Sequence, residues 1–136
     1  MSLHLVKLCV GAKSVEDLAR WRASRYQPGE PNLVRTRQTP RRLSEIADGG
    51  SLYWVFKGFI LCRQKIVKVQ TLGELGAKRC EILLDPALVL TQPTPRRAFQ
   101  GWRYLPPSDA PADLDGEGGA QAPADLAKRL RELGAW

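Results

Sequence analysis

The sequence has few of the residues from which metal sites and nucleophile–base pairs are built. It contains one histidine, His4, and three widely separated cysteines, at positions 9, 62 and 80. A structural zinc site needs clustered ligands, and a catalytic thiol usually needs a histidine partner. We therefore expect no metal and no cofactor. The odd number of scattered thiols is typical of reduced cysteines in the cytosol.

Long apolar runs are also absent, so we expect no membrane span and no membrane partner. The first residues have neither the basic start nor the cleavage site of a secretory signal. These features predict a cytoplasmic protein. A length of 136 residues with 43% hydrophobic content allows one domain with a buried core.

Positive charge is in excess and unevenly distributed. Residues 1–105 carry 18 Lys and Arg against 8 Asp and Glu, whereas residues 106–136 carry 3 against 6. Most of the cations are arginines, whose planar guanidinium suits phosphates and stacking on bases. A basic body of this kind is typical of nucleic-acid binding, although proteins also use such charge simply to stay in solution.

Composition divides the chain into three parts. We predict a basic body over residues 1–105, followed by a linker or wrap over 106–123 that is rich in Pro, Gly, Ala and Asp. Residues 124–136 are predicted to form an amphipathic helix. The apolar stripe of that helix consists of Leu126, Leu130 and Leu133, with Trp136 as an anchor.

Two helices are expected in the body. "SVEDLARWRASRY" predicts the first, with Ser14 as its N-cap. Its buried face is expected to consist of Val15, Leu18, Trp21 and the stem of Arg25. "TPRRLSEIADGG" predicts the second helix, capped by Thr39, with Pro40 at its first position and a stop at residues 48–50.

The remaining apolar segments alternate as strands do. An opening strand lies at residues 3–10, "SLYWVFKGFILCRQKIVKVQTL" forms further strands with a break at Lys57-Gly58, and "GWRYL" is a last strand. Consecutive strands with short connections favour antiparallel pairing. The prediction is an α+β fold, with a small, bent, antiparallel or mixed sheet or half-open barrel flanked by helices.

The tetrapeptide "TPRR" occurs twice and places arginine pairs at 41–42 and 96–97. Arginines at the starts of turns or helices can clamp phosphates, because backbone N–H groups also point outward there. Solvated surface charge explains the same pattern without a ligand. The sequence leaves both interpretations open.

Aromatic residues stand next to these arginines. In "TPRRAFQGWRYL", Arg96, Arg97 and Arg103 interleave with Phe99, Trp102 and Tyr104. Trp102 and Tyr104 should share one strand face. Arg103 faces the other way, near Gln100 only if Gly101 bulges, and Gln100 is a candidate to read a base edge. Packing of Arg103 on an aromatic ring is the alternative without a ligand.

In "GGSLYW", Ser51 and Tyr53 alternate with Leu52 and Trp54. We assign Trp54 to the core and Tyr53 to a ligand-facing position, where a base could stack. Catalytic residues are weakly indicated, since His4 reads as an exposed strand residue and no nucleophile–base set can be named. Glu45, Asp48 and Asp85 are candidate acids or bases, with surface ion pairs as the alternative.

The stretches "LHLVKLCVG", "DLARW", "GGSLYWVFKG", "RQKI", "DPALV" and "PRRAFQGWRYL" resemble an alphaproteobacterial family catalogued as domain of unknown function 1489. The resemblance runs from Leu3 to about Leu114 and implies a bacterial cytosolic protein, with no activity attached. In order of elements the chain is also similar to PUA-like domains (the EVE, ASCH and YTH group). That likeness implies a pocket for RNA or a modified base, with its mouth lined by Arg37, Ser51, Tyr53, Gln100 and Trp102, and with Arg41, Arg42, Arg96 and Arg97 around it.

Three functions follow as hypotheses. The first is a module that binds nucleic acid, RNA or single strands, through the ten residues Arg37, Arg41, Arg42, Ser51, Tyr53, Arg96, Arg97, Gln100, Trp102 and Arg103. The second is a protein–protein adaptor that uses the helix at 124–136. The third, the least supported, is an enzyme that acts on a nucleotide or modified base.

Overall fold

The computed structural model describes residues 3–36, 40–72, 79–97 and 99–114. This part of the chain forms seven strands and two short helices, which confirms the α+β class. Neither helix is long and apolar enough to cross a membrane. The strands are β1 (His4–Leu8), β2 (Asn32–Thr36), β3 (Ser51–Phe56), β4 (Phe59–Leu72), β5 (Arg79–Leu84), β6 (Val89–Pro95) and β7 (Trp102–Leu105). The helices are α1 (Val15–Arg25) and α2 (Leu43–Ala47).

All seven strands belong to one open, mixed sheet. Its order is β2-β5-β4-β3-β1-β7, and β6 pairs with β4 beside this path. The strands after residue 50 pair antiparallel where they meet β4, as their short connections predict. β1 is inserted between β3 and β7, parallel to the first and antiparallel to the second. The sheet is therefore mixed because β1 pairs in parallel with β3, while its other strand pairs are antiparallel.

The long strand β4 organises the sheet. Its first half pairs with β3 on one edge and with β6 on the other, and its second half pairs with β5. β5 and β6 run along the same edge of β4, separated by the residues around Asp85-Pro86. The Asp85 N–H still donates to the Lys65 carbonyl at 2.8 Å. A proline lacks the N–H that a ladder needs, so the strand is interrupted there.

A two-residue turn joins β3 to β4 at Lys57-Gly58. Both residues have positive φ, 49° and 88°, which is the backbone of a type I′ hairpin turn. Phe56 and Phe59 face each other across it. The break expected at this position is thus a tight turn, and it fixes the end of the sheet at which β3 and β4 meet.

The sheet is buried on both faces. The main core contains Leu5, Leu52 and Trp54, and α1 and α2 add Leu18 and Ile46 to it. A second, smaller cluster on the other face contains Val6, Tyr53, Val55, Ile60 and Leu105, with Phe99 and Ala110 packed against it. Strand β3 is buried at every position because it contributes to both clusters.

Helix α1 begins as the sequence predicts, because Ser14 accepts a hydrogen bond from the Asp17 N–H at 3.1 Å. Its buried face contains Val15 and Leu18 as predicted, but Trp21 and Arg25 are exposed. Val15, Leu18, Ala19 and Arg22 are buried, whereas Trp21 is 46% exposed. At 100° per residue, Trp21 lies about 120° around the helix from Val15, and the i, i+3, i+4, i+7 positions form the true stripe.

The expected start of the second helix was wrong. α2 begins at Leu43, so Pro40 precedes the helix, and the N-cap residue Arg42 forms no side-chain cap. Thr39 lies outside the described residues. The helix does stop at 48–50, and Gly50 then approaches two carbonyls so closely that a Cβ there would lie 2.4 Å from the oxygens of Ile46 and Leu3. Glycine at this position lets α2 pack against the start of β1.

A buried amide holds the centre of the sheet together. Gln64, in β4, is fully buried and accepts a hydrogen bond from the Trp54 indole N–H at 3.0 Å. Its amide nitrogen donates to the Asn32 side-chain oxygen and to the Asp85 carbonyl, both at 2.9 Å. One side chain thereby joins β2, β3 and β4 to the break between β5 and β6.

Replacing Gln64 by leucine should lower the free energy of unfolding strongly. Two buried polar groups, on Trp54 and Asn32, and the half-buried Asp85 carbonyl lose their partner. Each loss at a buried group costs about 1–3 kcal/mol, so we expect a decrease on the order of 3 kcal/mol. Gln70→Leu is the matched control on the same strand, because Gln70 is half-buried and bonds only the Glu81 carboxylate among the described residues. Urea unfolding of both variants measures the difference, and equal losses would contradict the role given to Gln64.

Candidate functional site

The second "TPRR" motif forms a pocket with the residues that follow it. This arginine pocket is open, has a volume of about 350 Å³, and is lined by Pro95, Arg96, Arg97, Phe99 and Arg103. It lies on the face of the second cluster, since Phe99 packs against that cluster and Arg103 is opposite Val6 in the β7–β1 pair.

Two backbone features place the pocket at the end of the sheet where β3 turns into β4. The Arg96 N–H donates to the Gly58 carbonyl at 2.8 Å, so the chain leaving β6 is tied to the hairpin turn. Gly101 has a φ of 70°, a conformation that glycine adopts readily. This turn allows the Gln100 carbonyl to accept a hydrogen bond from Arg103 Nη1 at 2.8 Å. The backbone at Gly101 thus brings Arg103 next to Gln100, the arrangement that the sequence allowed only if the chain bulged there.

The arginines of the pocket are held by an aromatic ring. The guanidinium carbons of Arg96 and Arg103 lie 5.8 Å and 5.4 Å from the centre of the Phe99 ring. Arg103 Nη1 also donates to the Trp102 carbonyl at 3.0 Å. Cation–π contacts and carbonyl hydrogen bonds orient a guanidinium and leave its positive charge in place.

No carboxylate among the described residues pairs with the arginines of this pocket. The ion pairs found in this part of the chain are Arg20–Asp17, Arg35–Glu81, Arg42–Glu45 and Arg63–Asp113. Arg103 is oriented by the ring and two carbonyls, Arg96 contacts the ring, and Arg97 is exposed beside them. The arrangement offers an anion several N–H donors together with uncompensated positive charge.

The first "TPRR" motif serves a different purpose. The backbone N–H groups of Arg41 and Arg42 both donate to the Tyr104 hydroxyl, at 2.9 Å and 3.3 Å. The Arg42 side chain forms a bidentate pair with Glu45. Tyr104 is opposite Leu5, so this contact lies on the main-core face. The two arginine motifs thus lie on opposite faces of the sheet, and the N–H groups of the first one are already used within the protein.

Ser51 and Tyr53 belong to a closed network and do not line the arginine pocket. Both are buried, with 2% and 4% exposure. Arg63 Nη1 donates to the Ser51 hydroxyl at 3.1 Å, and the same guanidinium binds the Asp113 carboxylate through two hydrogen bonds of 2.8 Å. Residues 112–114 lie along β6 through backbone hydrogen bonds, so Asp113 anchors the segment that follows β7.

His4 completes this network, and its expected exposure was wrong. Its Nδ1 accepts a hydrogen bond from the Ser51 N–H at 3.0 Å, and its ring meets the Tyr53 ring edge-on at 5.2 Å. Burial lowers the pKa of His4, and the nearby Arg63 charge lowers it further. Both effects favour the neutral imidazole that the hydrogen bond requires.

The structure brings together only some of the residues predicted for the site. Arg96, Arg97 and Arg103 line one pocket, and exposed Gln100 adjoins it. Trp102 packs against the main core, edge-on to Tyr104 at 5.0 Å, so it lies on the face opposite Tyr53. Arg37 and residues 115–136, including the candidate protein-binding helix, lie outside the described residues.

Phe99 was missed as a site residue, although its position between Arg96 and Arg103 in the sequence was the available clue. The alternative without a ligand, packing of Arg103 on an aromatic ring, is what the structure shows, and the same ring also contacts Arg96. Sequence spacing alone does not distinguish a ring that faces a ligand from one that supports a cation.

Other reactive side chains are engaged or buried. Burial raises the pKa of the Cys9 thiol to about 11 and that of Cys62 well above its ordinary value. Asp85 accepts a hydrogen bond from the Ala87 N–H at 2.9 Å, which stabilises the break before β6. Within the described ranges, no group of three or more His, Cys, Asp and Glu side chains is placed to hold a metal ion.

Acid should weaken the contribution of His4 to stability. Its pKa in the folded state lies below the ordinary value of 6.5, so protons favour the unfolded state. The stabilisation is fully present above pH 6.5 and is lost as the pH falls through the folded-state pKa. At neutral pH we expect the free energy of unfolding of the wild type to exceed that of His4→Gln by about 1 kcal/mol, the value of a typical hydrogen bond. Urea unfolding of both proteins from neutral to acidic pH should show this difference becoming smaller as the pH falls. A difference that does not change with pH would contradict the lowered pKa of His4.

Comparison with known proteins gives one family. No curated protein and no solved structure matches the chain. A family model described as "Protein of unknown function (DUF1489)" matches residues 5–136, a range that begins within β1 and includes every later strand and helix described above. The chain is therefore a member of the DUF1489 family.

Proposed function

We propose that this protein binds nucleic acid and that the arginine pocket holds the phosphate backbone. The observation that carries the proposal is the set of three arginines around Phe99, for which the described residues supply no neutralising carboxylate. Phosphate oxygens accept several hydrogen bonds at once, and arginine matches their geometry through its fork of N–H donors.

The shape of the pocket favours a polymer. It is open to solvent, whereas sites for small molecules usually enclose most of their ligand. A chain of phosphates can pass across such a pocket with one group at the arginines. The excess of positive charge over residues 1–105 would attract the same polymer from a distance.

RNA or another single strand is the form we propose, in agreement with the aromatic and arginine content of the stretch after β6. The proposal does not rely on a PUA-like base pocket around Tyr53, because Tyr53 is buried and Trp102 packs on the opposite face. It relies on phosphate contacts, which give affinity with little sequence preference.

Replacing Arg96 or Arg103 by glutamine should weaken binding of a short, fluorescein-labelled oligouridine. Each lost phosphate contact should also reduce the slope of log K against log salt by roughly 0.7, the value per neutralised phosphate on a single strand. Fluorescence anisotropy over a series of salt concentrations measures both quantities.

Arg20→Gln is the matched control for this experiment. Arg20 is an exposed arginine on α1 that pairs with Asp17, so its loss changes the net charge by the same amount at another place. If Arg20→Gln weakens binding as much as Arg96→Gln does, net charge alone accounts for the affinity and the pocket is not the site. Absence of binding by the wild type at low salt would rule out the proposed function altogether.

A further inference from the structure

Three apolar side chains form a row across the part of the sheet that contains β2 and β5. Leu33 of β2 is opposite Leu83 of β5. Leu83 is in turn opposite Lys68 of β4, and Val67 is the residue before Lys68. Leu33 and Leu83 are half-buried and Val67 is 55% exposed. We call Leu33, Leu83 and Val67 the open row, because neither apolar cluster of the described residues contains any of them.

The open row points away from the main core. Ile66 and Ile82 directly precede Val67 and Leu83, and both belong to the main core. Successive side chains of a strand point to opposite faces, so the open row lies on the face of the second cluster. The segments after β6 and β7 pack on that cluster, whereas within the described ranges no apolar layer packs on the open row.

The dimensions of the open row suit one helix. It crosses three neighbouring strands, which are about 4.8 Å apart, so it is about 10 Å long. A helix with its side chains is about 10–12 Å wide. On the opposite face of the sheet, α1 and α2 already cover the main core in this way.

The end of the sequence offers a helix of this kind. Residues 124–136, which lie outside the described residues, are predicted to be amphipathic with a stripe of Leu126, Leu130 and Leu133. Leu126 and Leu133 would be about 10 Å apart along a helix, which equals the length of the open row. A helix of 13 residues is marginal in water by itself, so such a stripe needs an apolar surface to pack on.

The last described residues lead in the direction of the open row. The Leu114 N–H donates to the Leu90 carbonyl at 2.8 Å, and Leu90 is opposite Cys62 of β4. The segment around residue 113 runs antiparallel to β6, and therefore in the same direction as β4. Val67 lies five residues beyond Cys62, or about 17 Å at the rise of a strand. The eleven residues of 115–125 can span roughly 36 Å, which is sufficient.

The charges of the two segments are opposite in sign. Lys65 and Lys68 are exposed beside the open row, and the ion pairs found in the described part of the chain do not include them. Residues 115–125 contain three acidic residues and neither Lys nor Arg. The segment that leads to the helix therefore carries the charge that the two lysines attract.

We propose that residues 124–136 dock as a helix on the open row of their own chain. The three leucines pack on the row and form the second apolar layer of this half of the sheet, and the acidic segment lies beside the two lysines. The docking is independent of nucleic-acid binding. It also replaces the adaptor hypothesis, because a stripe that is buried on its own sheet is not available to another protein.

Val67→Asp in the full-length chain tests the docking by placing a charge in the row. Hydrogen–deuterium exchange with mass spectrometry should show amides of residues 124–136 protected in the wild type. In the variant we expect their exchange to become roughly tenfold faster, the factor that corresponds to the burial of one valine side chain. Peptides from β5 should exchange as in the wild type, which shows that the sheet is still folded.

Val10→Asp is the matched control. Val10 is 84% exposed and follows Cys9, whose N–H donates to the Val55 carbonyl near the β3–β4 turn. The control therefore makes the same change of side chain at the other end of the sheet. It should leave the exchange of residues 124–136 as it is in the wild type.

A second pair of variants keeps the test decisive if Val67→Asp unfolds the sheet. Val67→Cys introduces a thiol at the open row with little change in size. Iodoacetamide should alkylate this thiol slowly, and adding Leu130→Asp should make its alkylation roughly tenfold faster, because the helix then no longer covers it. An equal rate with and without Leu130→Asp would show that the helix does not cover the row.

The remaining outcomes distinguish the possible occupants of the row. Amides of residues 124–136 that are unprotected in the wild type would overturn the proposal, and so would equal acceleration by Val67→Asp and Val10→Asp. If protection disappears on dilution and light scattering gives the mass of a dimer, a second copy supplies the helix and docking within one chain is wrong. Protection that persists in a dilute monomer and is lost only in Val67→Asp supports it. The oligouridine experiment is unaffected by any of these results.

Discussion

The arrangement of the sheet depends on the buried amide of Gln64. On the N-terminal side of this residue β4 pairs with β3 and β6, and shortly after it β4 pairs with β5. Three hydrogen bonds of the Gln64 side chain connect the segments that meet there. One of them goes to the carbonyl of Asp85, at the break that ends β5 and begins β6. β6 then runs to the hairpin turn, where the Arg96 N–H meets the Gly58 carbonyl. A polar group in the core is thus linked, through the break at Asp85 and through β6, to the segment that forms the arginine pocket.

Alternation along β7 explains why aromatic and basic residues are mixed in the stretch after β6. Trp102 and Tyr104 point to the main core, and Tyr104 holds the start of α2 through two backbone N–H groups. Arg103 points to the other face and contributes to the pocket. The period of two along a strand separates the two kinds of side chain, so one short edge strand supports the helix on one side and carries charge on the other.

Features set by neighbours in sequence could be predicted. The Ser14 cap, the break at Lys57-Gly58 and the last strand each depend on a few adjacent residues, and the structure has all three. The alternation of side chains along β3 also predicted correctly that Trp54 belongs to the core.

Features set by distant segments could not be predicted in this way. Tyr53 is buried because Phe99 and Ala110 pack against its cluster and the Arg63–Asp113 pair lies beside it. Periodicity gives the face of a side chain without telling what covers it. The pairing of Phe59 with Pro95 likewise joins residues 36 positions apart. The clustering of arginines after β6 is visible in the sequence, whereas the separation of the two arginine motifs by the sheet is not.

The stack of Arg96 and Arg103 on Phe99 has a consequence for the rate at which a ligand leaves. A free arginine side chain loses about 2 kcal/mol of rotamer entropy when it is fixed, and a ligand that fixes it must offset that loss. Here the ring and two carbonyls hold Arg103 before any ligand arrives. Less of the energy of each phosphate contact would then be needed to offset lost entropy, so the ligand would dissociate more slowly. An open pocket could in this way retain a polymer that it does not enclose.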